Sequence, residues 1–250
     1  MDYAQARLQA RFGERPDEQV WQRLGETDEL PAFLEIARAS GLQRWVAGID
    51  ASSDSHWMEI SLRARWRECV AETAGWMPQR WQPAALWTAR LADLPALCHL
   101  ARGEAPYAWM SLDPVLRPFA VAQGELRAAK LRQDALDFAY AQWPTVPGPA
   151  AEALEPQVRR AWREQWRRLW PGRGDAAALE DLAALMESRF KEPMAAARQA
   201  FLHRLRKQFR RATLRPAAAF AFLAFAALDI ERLRADLLGH VLLRQAGLAP

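Results

Sequence analysis

The sequence predicts an all-α protein, and three observations carry the prediction. Ala, Leu, Arg, Glu and Gln are abundant, whereas Val, Ile, Thr and Tyr, which a sheet favours, are scarce. Apolar residues recur at helical spacing, as in Leu30, Phe33, Leu34 and Ala37. The segments between them are punctuated by helix caps and breakers such as Asp54, Gly75 and Pro78. At 250 residues, 51% hydrophobic and 26% charged, the chain is long enough to bury a sizeable core.

The elements follow in order. Residues 3–12 carry Tyr3, Leu8 and Phe12 along a first helix. Pro16 suits the first turn of a second, over 16–25. Asp28 can cap a third that runs to about Ala39 and is ended by Gly41. In DASSDSHWME (50–59), Ser53 or Asp54 can accept the first free amides of a helix that runs to about Thr73. A helix over 83–89 comes next and LADLPALCHLARGE (91–104) continues to Gly103, then a Pro-rich loop over 104–118, then a helix over 119–142. WPTVPGPA (143–150) reads as a linker. It divides an N-terminal lobe (1–142) from a C-terminal lobe (151–250), unless the two form one compact unit. The C-terminal lobe holds helices over 151–170, 175–191 and 194–212, and a last one opened by Pro216 and running to about Gly239 or beyond. Its AAAFAFLAFAAL run (217–228) is short of the roughly 20 residues a membrane span needs. It reads as a helix buried on all sides.

Composition also bears on compartment. Cys69 and Cys98 are the only cysteines, too few for a disulfide framework or a zinc site, which fits a reducing cytosol. The opening MDYAQARLQARF lacks the apolar run of a signal peptide. The expected location is cytoplasmic, with any membrane association peripheral and made through partners.

Charge is uneven. The formal net charge is +4, and its bases are nearly all Arg; Lys130, Lys191 and Lys207 are the lysines. Between Pro156 and Arg215 there are 15 Lys and Arg against 6 Asp and Glu. The segment around 198–211 places Arg198, Arg204, Arg206, Lys207, Arg210 and Arg211 beside an apolar face of Phe201, Leu202, Leu205 and Phe209. Such a basic amphipathic helix is either a solvated face or a surface for an acidic protein, anionic lipid or RNA. An acidic protein partner is favoured over nucleic acid, because no nucleic-acid-binding signature accompanies it. Trp162, Trp166 and Trp170 recur every four residues in a stripe with Val158 and Leu169, facing either the core or a partner. Arg159, Arg163 and Arg167 lie on another face of that helix and read as solvated.

No chemistry-bearing motif stands out. Phosphate-cradling loops, H-E-x-x-H and G-x-S-x-G are all missing. His56, His99, His203 and His240 are scattered without metal-ligand spacing. Cys98 adjoins His99, but successive helical residues point about 100° apart and do not face each other. The expectation is a non-enzyme without catalytic residues, cofactor, metal or small-molecule substrate.

Two segments echo one another. DLPALCHLARG (93–103) and DIERLRADLLG (229–239) pair Asp93 with Asp229, Leu94 with Ile230, Leu97 with Leu233 and Gly103 with Gly239. Each is readable as a helix capped or kinked at its Asp and ended by Gly in the left-handed conformation. Leu97, Arg102 and Gly103 match one copy of an acid-x-x-Asn/Arg-Leu-x-x-x-x-(Arg)-Gly pattern, and Glu231, Leu233, Arg234 and Gly239 match another. With YAQARLQAR (3–11), LPAFLEIARASG (30–41) and GHVLLRQAGL (239–248), the chain resembles the C/d-subunit family of the V/A-type (vacuolar/archaeal-type) rotary ATPases, in a divergent and shortened bacterial form.

The resemblance implies repeated helical units, one repeat fewer than the family's pseudo-threefold pattern. It implies a non-catalytic structural protein that couples the central stalk to the membrane c-ring in ion or proton transport, with stalk proteins and the c-ring as partners. The chain departs from the pattern at Ala96 and Arg232, where the family has Asn, and at Leu238, where it has Arg. The alternative is a basic helical adaptor, or a module binding RNA or another polyanion, that kept the fold without the rotary role.

Overall fold

The computed structural model describes residues 1–133, 154–188 and 194–245, and among these it is helical throughout, with no strand. In chain order the α-helices are α1 (Asp2–Gly13), α2 (Glu18–Gly25), α3 (Leu30–Arg38), α4 (Ser55–Trp76), α5 (Gln82–Trp87) and α6 (Leu94–Ala101). They continue as α7 (Arg117–Ala120), α8 (Gly124–Gln133), α9 (Leu154–Arg168), α10 (Ala176–Ser188), α11 (Met194–Arg211) and α12 (Pro216–Gln245). Short 3-10 turns cover Gln79–Trp81, Thr88–Ala92 and Ala108–Ser111.

Local chemistry sets several boundaries. A helix start leaves amides without partners, and a side-chain oxygen there accepts from one of them. Asp54 caps α4 by accepting from the Trp57 amide at 2.7 Å, as its position predicts. Asp17 caps α2 through the Val20 amide at 2.9 Å, so Pro16 stands just outside that helix rather than in its first turn. Asp28 does not cap α3. Glu29 occupies the cap position without a side-chain bond, and the Asp28 carbonyl instead lies 3.1 Å from His240 Nδ1. Gly103 ends α6 at φ +78°, the left-handed conformation that favours glycine.

The chain forms two compact units. One joins Met1–Leu86 to Trp170–Pro250, and the other is Trp87–Leu169. This division differs from the expected lobes at 1–142 and 151–250. The reason is α12, which packs against α1, α3 and α4 from the start of the chain as well as α10 and α11 from its end. The expected linker over 143–150 lies outside the described residues.

In the first unit α12 is the central element. Ala217 through Ala226 are all buried, which agrees with the expected all-round burial of 217–228. Phe225, Leu8, Leu34, Leu62 and Leu24 are among the largest side chains fully removed from water. Each such side chain contributes roughly 1.5–3 kcal/mol relative to exposure. Past Leu228 the helix becomes one-sided: Ile230, Leu233, Leu237 and Val241 face inward. Gly239 does not end it, since α12 continues to Gln245 with no positive φ at that glycine.

In the second unit α6 packs against α9 and α8. Its core contains Leu97, Leu100, Met110, Leu116 and Val158. The buried Asp113 accepts from the amides of Val115 and Leu116 at 2.9 and 3.1 Å, which organises the turn entering α7. The 104–118 segment is therefore more structured than its prolines suggest. Trp162 and Trp166 are buried and stacked at 5.8 Å, and the Trp87 indole N–H donates to the Trp162 carbonyl, so this part of the tryptophan stripe is core; Trp170 is half-buried. Arg159, Arg163 and Arg167 are half-buried rather than solvated, and Arg159 pairs with Glu155 one turn back.

Candidate functional site

The basic helix is α11, and its inner face fixes its outer one. Phe201, Leu205 and Phe209 are buried. Phe209 stacks on Phe12 at 4.7 Å and meets Phe225 edge-on at 6.5 Å, which locks the last turns of α11 against α1 and α12. The opposite side is then presented to water: Arg204, Arg206, Lys207, Arg210 and Arg211 are all exposed.

These five cations differ from seven other arginines of the first unit. Arg15 is held by Asp229, Arg11 and Arg44 by Glu72, Arg63 and Arg234 by Glu59, Arg215 by Asp175 and Arg232 by Glu18. Among the described residues, none of the five α11 cations has an ion-pair partner. Like charges one turn apart repel and weaken a helix slightly, so the row costs stability that no ion pair among the described residues returns.

Arg198 departs from the expectation. It is half-buried, turned toward α12, and lies in the field of Asp229, Asp236, Glu18 and Arg232. Burial lowers its pKa, and the Arg232 charge adds to that. It belongs to an internal charge cluster and not to the exposed face.

Two concavities adjoin the face. A groove of about 270 Å³ is lined by His203, Lys207, Arg210 and Arg211. A pocket of about 300 Å³ lies between α10, α11 and α12, and Arg211 lines it as well.

The repeat positions occupy structural places. Asp93 and Asp229 are both buried, and Leu97 and Leu233 are fully buried. Gly103 terminates α6, whereas Gly239 lies within α12, so the echo does not produce two equivalent helix ends. Arg102 lies 3.8 Å from Glu104, Arg234 pairs with Glu59, and Glu231 is exposed. The shared spacing reflects a common inward-facing stripe.

Among the described residues, no group of three or more His, Cys, Asp or Glu is placed to hold a metal. Burial pushes the Cys69 thiol up to about 11 and the Cys98 thiol to about 12, so neither supplies a thiolate at neutral pH. His99 faces Glu104 and the Ala105 carbonyl, each at 2.7 Å, and not Cys98. No described helix is long and apolar enough to cross a membrane.

Fold and surface thus define an all-helical protein that carries a row of exposed cations, without ion-pair partners among the described residues, on a helix packed against α1 and α12. Comparison with known protein families, curated proteins and solved structures finds no match to this chain.

Proposed function

We propose that this chain is a non-catalytic docking protein that binds an acidic protein surface through the outer face of α11. The observation that carries the reading is the contrast within one unit. Arg11, Arg15, Arg44, Arg215 and Arg232 are paired and the exposed Arg23, Arg80 and Arg173 stand singly, while Arg204, Arg206, Lys207, Arg210 and Arg211 share one helix face, exposed without ion-pair partners among the described residues. Complementary charge of this kind steers association and fixes register. The resemblance to the C/d-subunit family of V/A-type ATPases supplies the specific form of the proposal: a coupling element whose partners are stalk proteins and a membrane c-ring. The test is co-purification with and without glutamine at the five positions, with nuclease treatment before capture. Loss of a protein partner in the variant supports docking. Binding that vanishes with nuclease favours the polyanion alternative, whose affinity falls linearly on a log–log salt plot.

A further inference from the structure

We infer that the pocket between α10, α11 and α12 receives one apolar side chain of an acidic peptide segment, and so anchors the partner of the basic face. This rests on the docking reading and adds the chemistry of the segment recognised.

The pocket encloses about 300 Å³. Its floor is Ala177, Ala178, Leu182, Ala212, Ala217 and Ala221, a surface of methyl groups without a polar atom on its side chains. Its rim is Asp181, Gln208, Arg211 and Arg215. The rim residues are not equivalent. Arg215 is already engaged, by Asp175 Oδ1 at 2.7 Å and the Gly174 carbonyl at 2.9 Å. Arg211 has no ion-pair partner among the described residues and also lines the groove with His203, Lys207 and Arg210. Gln208 Oε1 is buried below the rim, without a hydrogen-bond partner among the described residues.

An occupant must therefore satisfy two demands at once: an apolar group for the floor and anionic groups for Arg211, Lys207 and Arg210. A peptide offers both, in a side chain and flanking carboxylates. A nucleotide meets the anionic demand but leaves the polar edges of its base against methyl groups, which is costly. A fatty acid fills the floor but brings a single carboxylate to Arg211, Lys207 and Arg210. An anchor side chain seated in a desolvated pocket is also how interface hot spots are built.

The test uses the full chain and two fluorescent nonapeptides, one with a central leucine flanked on both sides by glutamates, the other with serine in place of the leucine. The leucine peptide is expected to bind roughly tenfold tighter by anisotropy. Ala178→Leu, which fills the pocket from α10, is expected to reduce that ratio below about twofold while leaving the serine peptide unchanged. Ala177→Leu, from the exposed edge of the same floor, serves if the first variant fails to fold. Arg211→Gln is expected to weaken both peptides. Equal affinity of the two peptides for the unmodified chain overturns the pocket and leaves the docking reading standing. Binding of an RNA oligomer with no binding of either peptide overturns both.

Discussion

Arg15 grips Asp229 with two hydrogen bonds of 2.7 Å, Nε to Oδ2 and Nη2 to Oδ1, across 214 residues of sequence. The guanidinium also lies 4.3 Å over the Phe225 ring, so one side chain ties the α1–α2 turn to both the charge and the aromatic surface of α12. The pair is well shielded, with side chains only 14% and 5% exposed. Removing one partner of such a pair strands the other. Arg15→Ala is expected to cost about 3–5 kcal/mol in urea unfolding, and Asp229→Asn less, because the amide oxygen still accepts. Equal and small losses would contradict this.

The pH dependence separates two carboxylates. Burial raises the Asp229 pKa against the pull of Arg15, Arg198 and Arg232, so the folded state holds that proton more tightly than the unfolded one. Its contribution to stability is fully present below the ordinary value and is lost as pH rises through the raised one. The cost of Arg15→Ala is therefore expected to shrink on acidification, when the stranded carboxyl can protonate. Thermal midpoints of both proteins between about pH 4 and pH 7 check this.

Glu72 has the opposite sign. Burial works against its charge, yet the Arg11 hydrogen bond and the Arg44 and Arg11 charges hold its pKa below the ordinary value. Arg11 at 2.8 Å and Arg44 at 3.1 Å share this carboxylate. That stability is present above the ordinary carboxylate value of 4.5 and is lost as pH falls through the lowered one. Glu72→Gln is expected to flatten the acid limb of the stability profile, measured by circular dichroism.

Gly41 makes a close approach possible. A Cβ there would sit 1.7 Å from the Glu14 carbonyl oxygen, a backbone atom that cannot swing aside. Gly41→Ala is expected to destabilise by about 1–3 kcal/mol, as overpacking does. Leu214 is the converse case, a leucine at φ +62° in the turn between α11 and α12, its amide donating to Gln5 Oε1. The left-handed conformation costs a non-glycine residue roughly 1–2 kcal/mol. Leu214→Gly is expected to raise the thermal midpoint, and a fall would show that its exposed side chain matters more than its backbone.

What could be read from the sequence was local. The Asp54 cap, the helical stripe of α3 and the all-apolar run of α12 each depend on neighbours within a few turns, and each has its expected place. The basic helix was equally visible, because its charge and its apolar face share one period. The inward turn of Arg198 was not, since the acids that draw it lie on α2 and α12. Nothing local marked Arg15 as the partner of Asp229, nor Gly41 as the seat of Glu14. The two-unit division was hidden for the same reason: a break at 143–150 looks like a boundary only until the first helices are seen to pack on the last.

Docking of a protein on the outer face of α11 is open to direct measurement. The direct measurement is nuclease-treated native purification from the source organism, of the unmodified chain and of the variant with glutamine at Arg204, Arg206, Lys207, Arg210 and Arg211, with mass spectrometry of what accompanies each. Rotary ATPase stalk proteins or a c-ring are expected with the unmodified chain, and their loss is expected with the variant. The same proteins recovered equally with both, or no protein with either, would contradict it.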